Sequence, residues 1–216
     1  MMLWIYDPAT QGTRRDHGTP APVPEYSVEY ATLQQVSLSI DGREVSVPKG
    51  TSVLRAAALA GINIPKLCAT DALDAFGSCR LCLVEIAGRK GYPASCTTPV
   101  EEGMAVTTQN GKLARLRRNV MELYISDHPL DCLSCPANGN CELQTLAEEY
   151  GITEFAFGHP EEPLCVEDHS SYSVMRDMNK CIRCRRCVRT CIDIQEVGVF
   201  EAVGRSDKVT IETFQD

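Results

Sequence analysis

Fourteen residues hold one imidazole and three thiols: His128-Pro-Leu-Asp-Cys132-Leu-Ser-Cys135-Pro-Ala-Asn-Gly-Asn-Cys141. Three, two and five residues separate successive ligands, so the set can close on one ion or one cluster without help from distant parts of the chain. Thiolates with an imidazole suit a structural zinc ion as well as iron and sulfide, and this stretch alone leaves the metal open. Two further groups flank it. Upstream, Cys68, Cys79, Cys82 and Cys96 are separated by ten, two and thirteen residues, the close pair lying in a loop with Gly77 and Ser78. A two-iron cluster needs two thiolates per iron and backbone N–H groups near its sulfides, which a glycine-bearing loop can supply. Downstream, Cys181, Cys184, Cys187 and Cys191 follow at gaps of two, two and three.

Positioning these ligands falls to a small set of elements. Val36, Leu38 and Ile40 alternate, Asp41-Gly42 turns, and Val45 and Val47 resume, which predicts a β-hairpin over Gln35 to Val47. Thr51 is placed to cap a helix through Leu59, with Val53, Leu54, Ala57 and Ala58 inward and Gly61 as the stop. Cys68 to Cys82 reads as a loop, and Leu81 to Ile86 and Ala105 to Thr108 as further strands; hairpin, helix, loop and strands make a β-grasp plan over 35–110. Leu113, Leu116, Val120 and Leu123 recur at helical spacing from Lys112 to Ser126. That helix delivers His128 where Pro129 prevents continuation. A short helix from Cys141 to Tyr150 ends at Gly151, closing a segment over 111–153, and a polar connection covers 154–173. Residues 174–216 read as loop, helix and a last hairpin, Val199 to Val203 with Lys208 to Thr213. Residues 1–34, with Pro8, Pro20, Pro22 and Pro24, read as an extended arm. The fold class is α+β.

The totals narrow the function. A net charge of −8 and a pI near 5.1 argue against nucleic acid as the main partner. No apolar run approaches the ~18 residues of a membrane span. The Met1-Met-Leu-Trp-Ile start is not a secretory signal, and Arg14-Arg15 does not lead an export signal, so the chain is expected in the cytoplasm. There, twelve cysteines do not become six disulfides. Their clustering points to metal, with Cys165 a plain thiol in the connection and His17, His159 and His169 ordinary.

The downstream group matches the bacterial ferredoxin run, whose first three cysteines hold one [4Fe–4S] cluster while the fourth reaches a second. By that logic Cys191 either closes locally or belongs to a second cluster, and a fragment of a longer subunit is expected. Arg183, Arg185, Arg186 and Arg189 would offset cluster charge, or else form a solvated face. All three groups in this order resemble the iron–sulfur subunit of complex I, the small diaphorase subunit of NAD-reducing hydrogenases, and the N-terminal part of the α subunit of cytosolic NAD-dependent formate dehydrogenases. The wording of Ile64-Pro-Lys-Leu-Cys-Ala-Thr-Asp, Gly77-Ser-Cys-Arg-Leu-Cys-Leu-Val-Glu-Ile, Gly91-Tyr-Pro-Ala-Ser-Cys-Thr-Thr-Pro-Val and Met121-Glu-Leu-Tyr-Ile-Ser-Asp-His-Pro-Leu-Asp-Cys is most similar to the last.

The resemblance implies one [2Fe–2S] cluster on Cys68, Cys79, Cys82 and Cys96 in a ferredoxin-like β-grasp domain. It implies a His-ligated [4Fe–4S] cluster on His128, Cys132, Cys135 and Cys141, and a second [4Fe–4S] cluster on Cys181, Cys184, Cys187 and Cys191, in half of a bacterial-type ferredoxin module. Imidazole in place of thiolate should raise the potential of the middle cluster. No residue is expected to be catalytic. The molybdenum or tungsten pterin, FMN and NAD would lie in partner chains or a further C-terminal part, the partners being a flavin- and NAD-binding iron–sulfur subunit and a pterin catalytic domain. The alternatives are a hydrogenase diaphorase or complex I subunit and, in another class, a zinc-stapled binding module.

Overall fold

Strict alternation builds the first sheet. A computed structural model describes residues 4–7, 12–15, 34–154, 157, 167–170, 172, 175–205 and 208–213. Strand β3 (Gln35–Ile40) turns at Asp41-Gly42 into antiparallel β4 (Arg43–Pro48), Val36 opposite Val47 and Ile40 opposite Arg43. Val36, Leu38 and Ile40 are buried on one face, as period two requires. The sheet runs β4-β3-β6-β5, with β6 (Ala105–Thr107) parallel to β3 and β5 (Glu85–Ile86) antiparallel to β6. The hairpin turn also holds the far end of β6: the Asp41 carboxylate accepts the Thr108 N–H at 2.8 Å and its hydroxyl at 2.5 Å.

Helix α1 (Val53–Leu59) covers the sheet through Val53, Ala56 and Ala57. Its cap is Ser52, not Thr51: the helix begins one residue later than expected, and the Ser52 hydroxyl accepts the Arg55 N–H at 3.2 Å. Ala56 completes the buried face, Leu54 packs half-buried against the same core, and Ala58 is half-buried. The strand expected from Leu81 shortens to Glu85–Ile86, because Leu83 and Val84 bond instead to the Pro93-Ala94 loop.

Helix α2 (Gly111–Ser126) starts on the Asn110 side chain, which accepts the Leu113 N–H at 2.9 Å. Its buried face differs from the expected stripe. Leu113, Arg117, Met121 and Ile125 are buried at steps of four, Leu116 and Val120 are half-buried, and Leu123 is exposed. Helix α3 (Glu142–Glu149) has Cys141 at its N-cap. After a 3-10 turn, Met178–Lys180, the last helix is α4 (Arg186–Arg189), which widens into a π turn over Thr190–Ile194 as the Gln195 N–H reaches the Thr190 carbonyl. The final hairpin pairs β7 (Phe200–Val203) with β8 (Thr210–Thr213). Gly204 follows at φ +88°, where a Cβ would lie 2.3 Å from the Lys208 carbonyl oxygen, so only glycine fits.

Within the stretch read as an arm, β1 (Trp4–Asp7) pairs with β2 (Gly12–Arg15); the rest of 1–33, with His17, and also His159 and Cys165, lie outside the described residues. The chain divides into two units, 17–119 and 1–16 with 120–216, the boundary falling inside α2. No helix among the described residues is long and apolar enough to cross a membrane.

Candidate metal centres

Cys68, Cys79, Cys82 and Cys96 come together in the wall of the first core, all buried. Cys96 is fixed from α1: the Val53 N–H donates to the Thr98 carbonyl at 2.9 Å and the Leu54 N–H to that of Ser95 at 3.0 Å. Ser95 then reaches back to the Cys82 carbonyl with its N–H at 2.9 Å and its hydroxyl at 2.8 Å. One residue further on, Leu83 is held by Arg117. That guanidinium, 3 % exposed, donates to the Leu83 carbonyl at 2.6 Å and the Thr108 carbonyl at 2.9 Å. Arg117 escaped the sequence reading because a charged residue interrupts an apolar stripe; its position four residues after Leu113 was the available signal.

The four sulfurs form two pairs. The Cys68 thiol bonds Cys79, which lowers the Cys79 pKa, and that bond with burial pushes Cys68 up. Cys82 and Cys96 repeat the relation, Cys82 lowered by the Cys96 thiol and Cys96 pushed up by that contact and by burial. The Cys79 N–H also points at the Cys68 sulfur, at 3.4 Å. Two buried thiols per pair, with N–H donors alongside, fit a two-iron cluster. Gly77 stands in the loop at φ +73°, a backbone conformation that favours glycine. A recess of about 580 Å³ borders Cys96, but its charged groups are already engaged: Arg55 pairs with Asp71 at 2.7 Å and Lys66 donates to the Ala69 carbonyl at 3.1 Å.

In the second unit the candidate ligands sit in turns. The end of α2 delivers His128, whose N–H reaches the Ile125 carbonyl at 3.2 Å. Its Nδ1 lies 2.9 Å from the Pro129 carbonyl, which can only accept, and the Lys180 backbone also bonds the ring. Burial holds the ring pKa down against the upward pull of the Pro129 backbone, Asp131 and the Lys180 backbone. Cys132 and Cys135 are drawn together by the Cys135 N–H on the Asp131 carbonyl, 3.0 Å, and Cys141 lies where the α3 N–H groups emerge. All four are half-buried.

Cys181, Cys184 and Cys187 are half-buried too; burial raises the pKa of Cys181 and Cys187, with Cys184 adding to both. The Arg183 N–H points at the Cys181 sulfur at 3.4 Å. Cys191 keeps different company. It is buried, and its sulfur accepts the Val199 N–H at 3.2 Å; the N–H groups of Phe200, Val199 and Gly198 hold its pKa down. Each tight Cys-x-x-Cys turn outside the His128 set contains a left-handed arginine: Arg80 at φ +58°, Arg183 at +53° and Arg185 at +55°. Non-glycine residues rarely adopt that conformation, which turns successive N–H groups toward one point and costs about 1–2 kcal/mol at each position. Arg183 and Arg186 are not a solvated face: they pair with Asp127 and Glu142.

The eleven described cysteines are all free thiols. Among the described residues no three His, Cys, Asp or Glu side chains gather around a single-ion position. His169 is exposed and lies on Glu167 at 3.1 Å.

Three families match in order along the chain: a 2Fe-2S iron-sulfur cluster binding domain over residues 33–111, the NADH-ubiquinone oxidoreductase-G iron-sulfur binding region over 117–155, and the NADH-quinone oxidoreductase subunit 3 ferredoxin-like domain over 171–216. The NADP-reducing hydrogenase subunit HndD of Solidesulfovibrio fructosivorans is 43% identical over 80% of this chain and 30% of its own length. The mitochondrial NADH-ubiquinone oxidoreductase 78 kDa subunit of Candida albicans is 37% identical over 84% of this chain and 25% of its own. The chain thus spans under a third of these curated relatives. A chain of the crystal structure of the NAD+-reducing [NiFe]-hydrogenase in the H2-reduced state superposes with a TM-score of 0.77 at 32% identity, over 83% of this chain and 75% of that one.

Proposed function

Because the chain belongs to the family of iron–sulfur subunits that join a 2Fe-2S binding domain to the oxidoreductase-G and subunit 3 ferredoxin-like regions, we propose that it conducts electrons within an NAD(P)-linked oxidoreductase complex. The observation that carries this reading is the burial of four thiols as two bonded pairs, Cys68 with Cys79 and Cys82 with Cys96. Those four would hold the [2Fe–2S] cluster, His128 with Cys132, Cys135 and Cys141 a [4Fe–4S] cluster, and Cys181, Cys184 and Cys187 another. Cys191, turned to the N–H groups of 198–200, is assigned to a further cluster whose other ligands lie elsewhere. When bound, such clusters supply one-electron steps with little movement of their ligands. The chain contributes sulfur positions, N–H donors that stabilise thiolate charge, and an imidazole whose burial favours the neutral form a ligand needs.

At finer grain, we assign the complex to cytosolic NAD-dependent formate dehydrogenase, with electrons passing from a molybdenum or tungsten pterin site to a flavin subunit that reduces NAD. The motif wording around Cys68, Cys79, Cys96 and His128 supports this. A hydrogenase reading is favoured by a different observation, the likeness to the NADP-reducing and NAD+-reducing hydrogenase chains. Iron, acid-labile sulfide and heavier-metal analysis of the natively purified complex tests both. Iron with sulfide, and visible absorbance bleached by dithionite, is expected. Zinc without sulfide would sink the electron-transfer reading, and nickel without a pterin metal would sink the formate assignment.

A further inference from the structure

Three ion pairs join the His128–Cys141 segment to the Cys181–Cys187 segment within the second unit: Lys180 with Asp131 at 2.9 Å, Arg183 with Asp127, and Arg186 with Glu142. Their placement follows one rule. Each acid is the chain neighbour of a ligand, Asp127 of His128, Asp131 of Cys132 and Glu142 of Cys141. Each base immediately precedes one, Lys180 before Cys181, Arg183 before Cys184 and Arg186 before Cys187. Arg186 is the most enclosed of the three bases, and its guanidinium bonds the Cys184 sulfur as well as the Glu142 carboxylate. It therefore reaches from a ligand of one site to the residue beside a ligand of the other.

We propose that Arg186, with Glu142, is the positioning contact between the two [4Fe–4S] sites, fixing their separation and setting the charge felt at Cys184. This rests on the cluster reading above. A guanidinium on a thiolate ligand favours the more negative, reduced state of whatever that thiolate holds, and the carboxylate behind it moderates the effect. The two halves of the contact therefore act with opposite sign, which a packing role would not do.

The test is an EPR-monitored redox titration of the natively purified holoprotein, with iron and sulfide counted in each variant and the relevant signal identified as the one that Cys184→Ser alters. Arg186→Gln should lower the midpoint of that signal and Glu142→Gln should raise it, while the [2Fe–2S] signal stays in place. Midpoints unmoved at full iron content, or both variants moving the signal the same way, would overturn the proposal with the cluster reading intact. If Arg186→Gln is recovered without iron, Glu142→Gln decides: an upward shift supports the proposal, and no shift overturns it. Zinc without sulfide in the wild type would instead remove the cluster reading itself.

Discussion

The candidate ligands Cys68–Cys96 line a packed core to which Cys82 and Cys96 themselves belong, whereas the candidates in His128–Cys141 and Cys181–Cys187 sit half-buried in turns joined by ion pairs. In the first region Val36, Leu38, Ile40, Val53 and Val84 pack under the thiols, and Ser95, Arg117 and the start of α1 hold the loop backbone. In the second, Leu133 between Cys132 and Cys135 is 94 % exposed, and Lys180, Arg183 and Arg186 supply much of the cross-linking. The first grouping is preorganised by its fold; the second is expected to need its cofactor for completion, because a partly exposed pair such as Lys180–Asp131 contributes only about 0–1 kcal/mol.

Removing iron is the largest perturbation and separates the two regions directly. Chelation should leave backbone amides of β3, β4 and β6 protected from hydrogen exchange while amides of 128–141 and 181–191 exchange freely. Equal loss of protection in both regions would mean that the first core also needs its metal.

Changing the imidazole probes the second region alone. His128→Ala should lose the middle cluster or loosen it, seen as about four fewer irons per chain if the whole cluster goes. His128→Cys should keep it at a lower potential, since a thiolate adds negative charge. An unchanged EPR signal in both variants would remove His128 from the ligand set.

Arg117→Met probes the first region. It leaves the Leu83 and Thr108 carbonyls without their buried donor, at a cost of about 3 kcal/mol, read as a lower denaturant midpoint of the iron-free chain. A change below about 0.5 kcal/mol would show that water reaches those carbonyls.

The sequence made the grouping of Cys68, Cys79, Cys82 and Cys96 legible because such a cysteine pattern is local, and the hairpin legible because Val36, Leu38 and Ile40 alternate without interruption. What escaped it depends on residues distant in the chain. Nothing local marks Arg80, Arg183 and Arg185 for left-handed backbone, since asparagine or glycine is the usual choice there. Nothing local pairs Arg186 with Glu142, forty-four residues away. The inward face of α2 was misplaced for a related reason: a rule that counts only apolar residues passes over Arg117 and arrives at Leu123.

Ser52→Ala carries the smallest expected effect and sharpens the contrast most. The Ser52 hydroxyl caps α1, and the next two N–H groups of that helix hold the Thr98 and Ser95 carbonyls on either side of Cys96. Loss of a cap costs about 1 kcal/mol. If the first site is held by its whole core, that loss should lower the denaturant midpoint of the iron-free chain slightly and leave iron content untouched, because sheet, helix face and Arg117 still fix the loop. Asp131→Asn in the second region removes an ion pair of similar or smaller worth, yet there the turn is otherwise held by short-range hydrogen bonds and by no buried core, so iron retention should fall under mild chelation. Loss of iron from Ser52→Ala at the rate of Asp131→Asn would erase the distinction between a site built by its fold and one completed by its cofactor.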